Sequence, residues 1–174
     1  MQSKITKLHP YIRNLVSDTV ERINRDILTG RAKVKVTSGY RSHEEQAKLY
    51  AKGRTAPGPK VTNARAGSSM HNYGLAFDIC LELDGKIISW DVDKDFDQDR
   101  QSDWMEVVEV FKALGFKWGG DWKTFKDMPH FEMDVPLEVL KRLYNNEMFI
   151  EGSKYVSLLG VDTVVVPKGV EILV

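Results

Sequence analysis

The most informative segment of the chain reads Ser69-Met70-His71-Asn72-Tyr73-Gly74-Leu75-Ala76-Phe77-Asp78. From Leu75 to Leu83, large apolar residues alternate with smaller or polar ones, a period of two that predicts a β-strand. Asp78 is predicted to point away from the apolar face of that strand. His71 lies at an odd spacing from Asp78, which would place the two side chains on opposite faces of one straight strand. A turn at Tyr73-Gly74 removes this conflict, because glycine adopts backbone angles that other residues resist.

A second fragment, Asp127-Met128-Pro129-His130-Phe131-Glu132-Met133, offers another histidine at a predicted strand start. Together, His71, Asp78 and His130 make a set of two histidines and one carboxylate, which suits zinc with an open fourth position. Zinc is favoured over calcium because calcium prefers oxygen ligands. A single histidine would be better explained as an ordinary hydrogen-bonded residue. The combined pattern predicts a metal site.

Asp127 stands three residues before His130 and is left over as a candidate general base. Two alternatives stay open at this point. The spacing does not forbid Asp127 from being a metal ligand, and Glu132, on the same strand face as His130, is the next candidate for the base.

The pattern Ser69-x-His71-x-x-Gly74-x-Ala76-x-Asp78, followed by an acidic residue, two spacers and His130, resembles a family of zinc peptidases. This family includes D-Ala-D-Ala dipeptidases and carboxypeptidases and L-alanyl-D-glutamate endopeptidases, which act on bacterial cell-wall peptides. The resemblance runs from about Ile5 to Tyr144 and is closest to phage endolysins of the endopeptidase type. It implies a zinc metallopeptidase that hydrolyses a stem-peptide bond of peptidoglycan. Several members carry glutamate where this chain has Asp127.

The resemblance also implies a substrate site. Arg41 lies between a predicted strand over 33–37 and a helix opened by the capping box Ser42-His43-Glu44-Glu45. The residues alone favour a surface arginine paired with a glutamate, whereas the resemblance implies that Arg41 binds the substrate or its developing oxyanion and that Gln46 supports it. Ser69 either contacts the substrate or shapes the turn, and the residues alone favour the turn.

His43-Glu44 is not part of a metalloprotease helix motif, because Ala47 stands where that motif needs its second histidine.

Two other functions remain open. A D-Ala-D-Ala carboxypeptidase would differ in how open the cleft is. Hedgehog-type signalling domains resemble this fold and keep a similar zinc site, yet act as non-catalytic binding modules. The presence of Asp127 and Arg41 argues against a degenerate site.

The whole chain has 174 residues, enough for one domain with a core that folds without covalent staples. Its formal net charge is zero, so composition gives no electrostatic argument for binding nucleic acid or an anionic membrane. The lone cysteine, Cys80, excludes an internal disulfide and a cysteine-rich zinc site. Met1 to Pro10 lacks the apolar core of a signal peptide, and no run is long enough to span a bilayer. We expect a cytoplasmic protein that another agent releases to the cell wall; the oligomeric state is not predicted.

The remaining patterns predict an α+β fold. Apolar residues recur at helical spacing over 12–27, 104–114 and 137–144, with Asp103 as the predicted cap of the second of these helices. A return strand over 86–90 should follow a hairpin turn at Asp84-Gly85. We expect helices against a small, mostly antiparallel sheet with a single zinc site at its edge, as in hedgehog-type domains and D-Ala-D-Ala peptidases.

We expect a catalytic domain over 1–146 and a β-rich C-terminal extension over 147–174. Short apolar segments broken by glycines look like strands in the extension: Phe149-Ile150, Tyr155 to Leu159, Val161 to Val166 and Val170 to Val174. About thirty residues are too few to fold alone, so the extension should pack on the catalytic domain or on another chain.

Two features keep more than one interpretation, and a third is a loop with one expected role. Four acidic residues fit positions one, three, five and twelve of a calcium loop: Asp95, Asp97, Asp99 and Glu106. Arg100 stands where such a loop needs glycine, so a solvated acidic loop is favoured and calcium stays open. Trp118 and Trp122 suit either the core or a substrate groove. The loop from Arg54 to Ser68 leads into the metal motif and is expected to form a wall of the cleft.

Overall fold

The computed structural model describes residues 4–161. Its main elements, in chain order, are α1 (Pro10–Arg22), β1 (Ala32–Ser38), α2 (His43–Ala51), β2 (Ala76–Leu83), β3 (Ile87–Ser89), α3 (Asp103–Ala113), β4 (Lys117–Trp118), β5 (His130–Glu132) and α4 (Leu137–Asn145). The predicted α+β fold is confirmed. Among the helices of this part of the chain, none combines the length and apolar character needed to cross a membrane.

The alternating segment forms the central strand of the sheet. The strand order is β1-β2-β5-β4, with β3 also paired to β2, and every pairing is antiparallel. Asp78 lies directly opposite His130 in the pairing of β2 with β5. On its other side, Asp78 lies opposite Ser38, next to a register shift between Val36 and Ser38. An irregularity of this kind bends a strand locally, and here it adjoins the predicted metal ligand.

The inner face of β2 anchors the hydrophobic core. Phe77 is fully buried, with its ring centroid 4.9 Å from that of Phe111 on α3 and 5.5 Å from that of Phe131 on β5. Truncating a buried phenylalanine to alanine typically costs about 3–5 kcal/mol, so this aromatic cluster is a principal source of stability. The outer face carries Asp78, which is partly exposed.

The first helix differs from its prediction. Regular α-helix ends at Arg22, and a π-helical turn continues over Ile23–Ile27, closed by a bond from Leu28 N to Ile23 O. This widened turn lies beside β1, where the Asn24 side-chain amide donates to Val34 O and accepts from Val34 N. These bonds come from a distant strand, so the helical periodicity alone does not reveal them.

The helix caps agree with the sequence in one case and differ in another. Ser42 and Glu45 form the predicted capping box of α2. Asp103 was predicted to cap α3, but Ser102 does so by accepting from Met105 N. Asp103 is instead the first helical residue, and its buried carboxylate accepts from Phe96 N at 3.0 Å. Tertiary packing of the acidic loop therefore turns Asp103 inward and leaves the cap to its neighbour.

The described part of the extension packs on the rest of the protein. Tyr155 donates its hydroxyl hydrogen bond to Lys7 O at 3.0 Å, and the ring of His9 donates through Nε2 to Val156 O at 2.9 Å. Val156 and Leu158 join the main hydrophobic core. Short strands were predicted here, and within the described residues the extension shows one bridge, between Phe149 and Val156. The predicted strand over 170–174 and nearly all of that over 161–166 lie outside the described residues.

Candidate metal centre

His71 is presented by a short turn that the sequence predicts. A 3₁₀ turn spans Met70–Tyr73, and the Ser69 hydroxyl caps it by accepting from His71 N. Gly74 ends the turn with a left-handed φ of 72°, the conformation glycine adopts without strain. The ring Nδ1 of His71 lies 2.8 Å from Gly39 O, which can only accept. Nδ1 therefore carries a proton, and Nε2 is the nitrogen that faces Asp78 and would bind an ion.

His130 reaches the same point from β5. Its Nδ1 lies 3.2 Å from Asp78 Oδ1, the oxygen that also lies 3.2 Å from His71 Nε2. The other ring nitrogen, Nε2, lies 2.9 Å from Glu132 Oε2. A carboxylate accepts here, so Glu132 holds a proton on Nε2, and Nδ1 is the nitrogen that would bind an ion at the centre.

The donor set fits a zinc ion. Ligand atoms of His71, Asp78 and His130 all lie within 4.8 Å of one another. Two imidazole nitrogens and one carboxylate oxygen are the ligand types that zinc accepts with a fourth position open. Each histidine also has a hydrogen-bond acceptor on its far nitrogen, as metal-binding histidines do. The three residues named from the sequence are thus brought together by the fold.

Electrostatics make this centre favourable for a cation. Burial opposes ionisation of Asp78, but hydrogen bonds from His130 and His71 outweigh it and hold its pKa below the ordinary value. Burial likewise disfavours the charged form of His130, yet its bonds to Asp78 and Glu132 raise its pKa to about 9. Asp78 is therefore an anion that requires positive charge on the atoms around it.

Asp127 lies beside the three candidate ligands. Its backbone N–H donates to Gly119 O, and its carbonyl accepts from His130 N, both at 3.1 Å. A Cβ on Gly119 would collide with the Asp127 carbonyl, so the glycine permits this close approach. Burial and the nearby Asp78 raise the pKa of the Asp127 carboxyl. A raised pKa brings a carboxylate nearer to the value that suits proton transfer at neutral pH.

The predicted substrate residues lie at different depths. Arg41 lines the cleft, its backbone N–H donates to His71 O, and its guanidinium donates to Gln46 Oε1 at 3.0 Å. Gln46 is fully buried behind Arg41 and donates to Ala64 O at 2.8 Å. It therefore supports Arg41 and the adjoining loop from within the protein. Ser69 caps the turn and also lines the cleft, and its contact with the substrate stays a prediction.

A cleft of about 610 Å³ contains this centre. Six predicted site residues line it: Arg41, Ser69, His71, Asp78, Asp127 and His130. One wall is the segment 61–64 of the loop expected there, and the other includes Trp122 and Phe125. Trp122 packs against His130, with ring centroids 5.1 Å apart, whereas Trp118 is buried and donates to Met128 O. The two tryptophans thus divide between the groove and the core.

Sequence reasoning missed Asn72. This buried side chain donates to Arg41 O at 2.9 Å and accepts from Gly67 N at 3.0 Å, joining the metal turn to the arginine segment and the cleft loop. Its position between His71 and Gly74 in the motif was the available signal.

His43 lies outside the metal centre, as predicted. Its ring packs against that of Tyr144, with the ring centroids 4.2 Å apart.

Comparisons with known proteins identify a family and several relatives. A peptidase M15 family model, described as D-alanyl-D-alanine carboxypeptidase, matches residues 62–133. The peptidoglycan L-alanyl-D-glutamate endopeptidase CwlK of Bacillus subtilis (strain 168) is 50% identical over 132 residues, 72% of this chain and 73% of that protein. The L-alanyl-D-glutamate peptidase of Listeria phage A118 is 33% identical over 75 residues, 41% of this chain and 24% of that protein.

Among solved structures, the L-Ala D-Glu endopeptidase ChiX of Serratia marcescens matches with a TM-score of 0.45 and 22% identity, over 74% of this chain and 82% of that chain. The fold and site define a metallopeptidase. The extent of the match to CwlK shows that this chain belongs to the M15 peptidase family, with relatives that are L-alanyl-D-glutamate endopeptidases.

Proposed function

We propose that this chain is a zinc-dependent peptidase that hydrolyses the L-alanyl-D-glutamate bond of peptidoglycan stem peptides, as a phage-type endolysin. One observation carries the proposal: His71 Nε2 and His130 Nδ1 converge on a single oxygen of Asp78, in a cleft shared with Asp127 and Arg41. The names of the Bacillus and Listeria phage relatives support the choice of bond.

His71, Asp78 and His130 would hold the zinc ion. When bound, zinc supplies Lewis acidity, which polarises a carbonyl and makes water a stronger nucleophile. Asp127 accepts a proton from the attacking water as the water oxygen bonds to the carbonyl carbon of alanine. The same carboxyl then delivers that proton to the glutamate nitrogen as the C–N bond breaks.

Arg41 supplies the positive charge that would pair with a negatively charged group of the substrate. Chemically, a glutamate residue linked onward through one carboxyl keeps the other free, and a guanidinium pairs with a carboxylate through two parallel hydrogen bonds. Arg41 is held in place by Gln46 on one side and by its backbone bond to His71 on the other. It would bind this carboxylate or stabilise the oxyanion that develops on the cleaved carbonyl.

Mass spectrometry of fragments released from purified peptidoglycan tests the proposal. We expect fragments with a new amino terminus on D-glutamate, lost on treatment with a chelator and restored by zinc. Release of terminal D-alanine instead would favour the carboxypeptidase named by the family model. His71→Ala should abolish zinc occupancy and cleavage, whereas His43→Ala, which removes a histidine outside the centre, should preserve both. Full zinc content in His71→Ala would refute the ligand assignment.

We also propose that residues 1–146 form the catalytic unit and that 147–174 support its structure. The contacts of Tyr155 with Lys7 and of Val156 with His9 support this division of labour. An endolysin role implies that the chain stays in the cytoplasm until another agent releases it to the cell wall.

A further inference from the structure

The acidic segment before α3 forms a compact cluster away from the cleft. Counting Asp95 as position one of a twelve-residue calcium loop, acidic residues stand at positions one, three, five, nine and twelve: Asp95, Asp97, Asp99, Asp103 and Glu106. Their ligand atoms fall into two groups that share Asp97, and within each group the atoms lie within 4.8 Å of one another. The cluster shares no residue with the cleft lining.

One member of the cluster is unusually placed. Asp103 is 0% exposed, so its carboxylate is shielded from water. Its Oδ1 accepts from Phe96 N, but Oδ2 is buried and has no hydrogen-bond partner among residues 4–161. A buried carboxylate oxygen without a partner is costly, and natural proteins compensate it with a donor or a cation.

The same deficiency recurs in the two residues grouped with Asp103. Asp97 Oδ1 and Glu106 Oε2 are also buried and lack a partner within the described residues. Three such oxygens therefore belong to one set of carboxylates. Burial and the neighbouring acidic residues raise the pKa of Asp103 and raise the pKa of Glu106 to about 7. The loop expected to be solvated is exposed at Asp91, Asp93 and Asp99, whereas Asp97 is partly buried.

The loop backbone is also compatible with a calcium loop. Arg100 occupies position six, where glycine is usual, yet it adopts a left-handed φ of 80°. The Asp95 carboxylate accepts from Gln98 N at 2.6 Å and from Arg100 N at 2.9 Å, which closes the turn. The orientation of the Asp97 carboxylate is fixed as well, because its Oδ2 accepts hydrogen bonds from Thr29 N and Thr29 Oγ1.

We propose that this loop is a calcium site in which Asp97, Asp103 and Glu106 are the central ligands and Asp95 and Asp99 complete the coordination. Calcium takes six to eight oxygen ligands with flexible geometry, which suits an all-carboxylate set better than zinc or magnesium does. Calcium would join the loop, the start of α3 and the segment at Thr29, and so would stabilise the packing of α3 on the sheet.

Calorimetric titration of the zinc-loaded full chain with calcium chloride tests the site. We expect about one calcium per chain beyond zinc and an increase in the unfolding temperature. Glu106→Gln and Asp97→Asn should each weaken calcium binding about tenfold or more, because each removes one charged ligand. Asp93→Asn makes the same charge change in the same segment, outside both ligand groups, and should bind calcium as the parent does.

Several results would overturn the proposal. These are the absence of heat and thermal shift with calcium, an equal effect of magnesium, or undiminished calcium binding in both Glu106→Gln and Asp97→Asn. Stabilisation of Glu106→Gln without any calcium response would show that the carboxyls share a proton instead. The readouts do not depend on peptide cleavage, and His71→Ala should bind calcium normally, so this test stands apart from the peptidase proposal.

Discussion

The carboxylate of Glu132 lies 2.9 Å from Nε2 of His130, on the same face of β5. This contact fixes which nitrogen of His130 faces Asp78, and with it the direction from which His130 would bind an ion. Glu132 therefore acts on the metal centre through His130.

Replacing Glu132 with alanine should weaken zinc binding about 10- to 100-fold, the usual effect of removing a partner of a metal-binding histidine. Competition with a chromogenic chelator measures this affinity. Glu138→Ala removes an exposed carboxylate from α4 and should leave zinc affinity unchanged. If Glu132→Ala keeps full zinc affinity but loses cleavage, then Glu132 is the general base and not a positioning residue.

Asp127→Asn should separate metal binding from catalysis. Asparagine keeps the size and an acceptor oxygen but cannot take a proton from water near neutral pH, so turnover should fall about 100-fold or more while zinc and fold persist. Zinc content and cleavage are measured on the same preparation. Asp121→Asn, on the adjoining turn, is the control. Loss of zinc would make Asp127 a ligand, and near-normal cleavage would move the base elsewhere.

Gly119→Ala should lower turnover more than Gly120→Ala does, relative to the loss of thermal stability in each variant. The added methyl group would press on the Asp127 carbonyl and on the Cβ of His130, both close to the reacting groups. Gly120→Ala provides a matched comparison, because there the methyl group meets the Trp118 ring in the core. Thermal unfolding and turnover are compared for both variants. If the two variants lose turnover in the same proportion to their loss of thermal stability, the role assigned to Gly119 is wrong.

His9 should make the protein less stable in mild acid. Burial lowers the pKa of His9 to about 4, with a smaller opposing effect from its bond to Val156 and a further lowering by Arg13. Because the unfolded state takes up the proton first, His9 contributes stability above about pH 6.5 that is lost as pH falls toward 4. Between pH 7 and pH 5 the loss should be about 2 kcal/mol.

Urea unfolding of the parent and of His9→Gln at the two pH values measures this contribution. Glutamine can still donate to Val156 but does not titrate, so the pH dependence should shrink by that amount. His43→Gln, which alters a less buried histidine, should keep the parent's dependence largely intact. Identical pH profiles for His9→Gln and the parent would show that His9 is not responsible.

A chain ending after Asn146 should be less stable yet still bind zinc when folded. It loses the core contributions of Val156 and Leu158, each worth about 1.5–3 kcal/mol if fully buried, and the hydroxyl bond of Tyr155 to Lys7. A chain ending after Val161 keeps these contacts and serves as the control. Loss of zinc from the shorter chain in its folded state would place the boundary of the catalytic unit later.

Local patterns were sufficient to predict much of this molecule. The alternation around Phe77, the glycine turn at Gly74 and the spacing of His71 from Asp78 are properties of short segments, and each reappears in the structure. His130 lies in a separate fragment, and it was grouped with them by residue type and by the family resemblance. The capping box of α2 was predicted for the same reason, since both of its bonds lie within four consecutive residues.

Features that depend on distant segments were not predictable. The π-helical turn accompanies bonds between Asn24 and Val34, and the cap of α3 moves to Ser102 because Asp103 turns toward the acidic loop. The burial of Gln46 and the roles of Asn72 and Glu132 likewise need the neighbouring chain segments in place. Sequence periodicity carries no information on such pairings.

The direct pairing of Asp78 with His130 across β2 and β5 links the chemistry to the accuracy of folding. A slip of one residue between these strands would turn every side chain of β5 to the opposite face, and His130 would leave the cleft. A misregistered chain could then neither assemble the three-residue donor set nor gain the free energy of binding an ion. Metal binding would thus stabilise correctly paired molecules selectively over molecules with a shifted strand register.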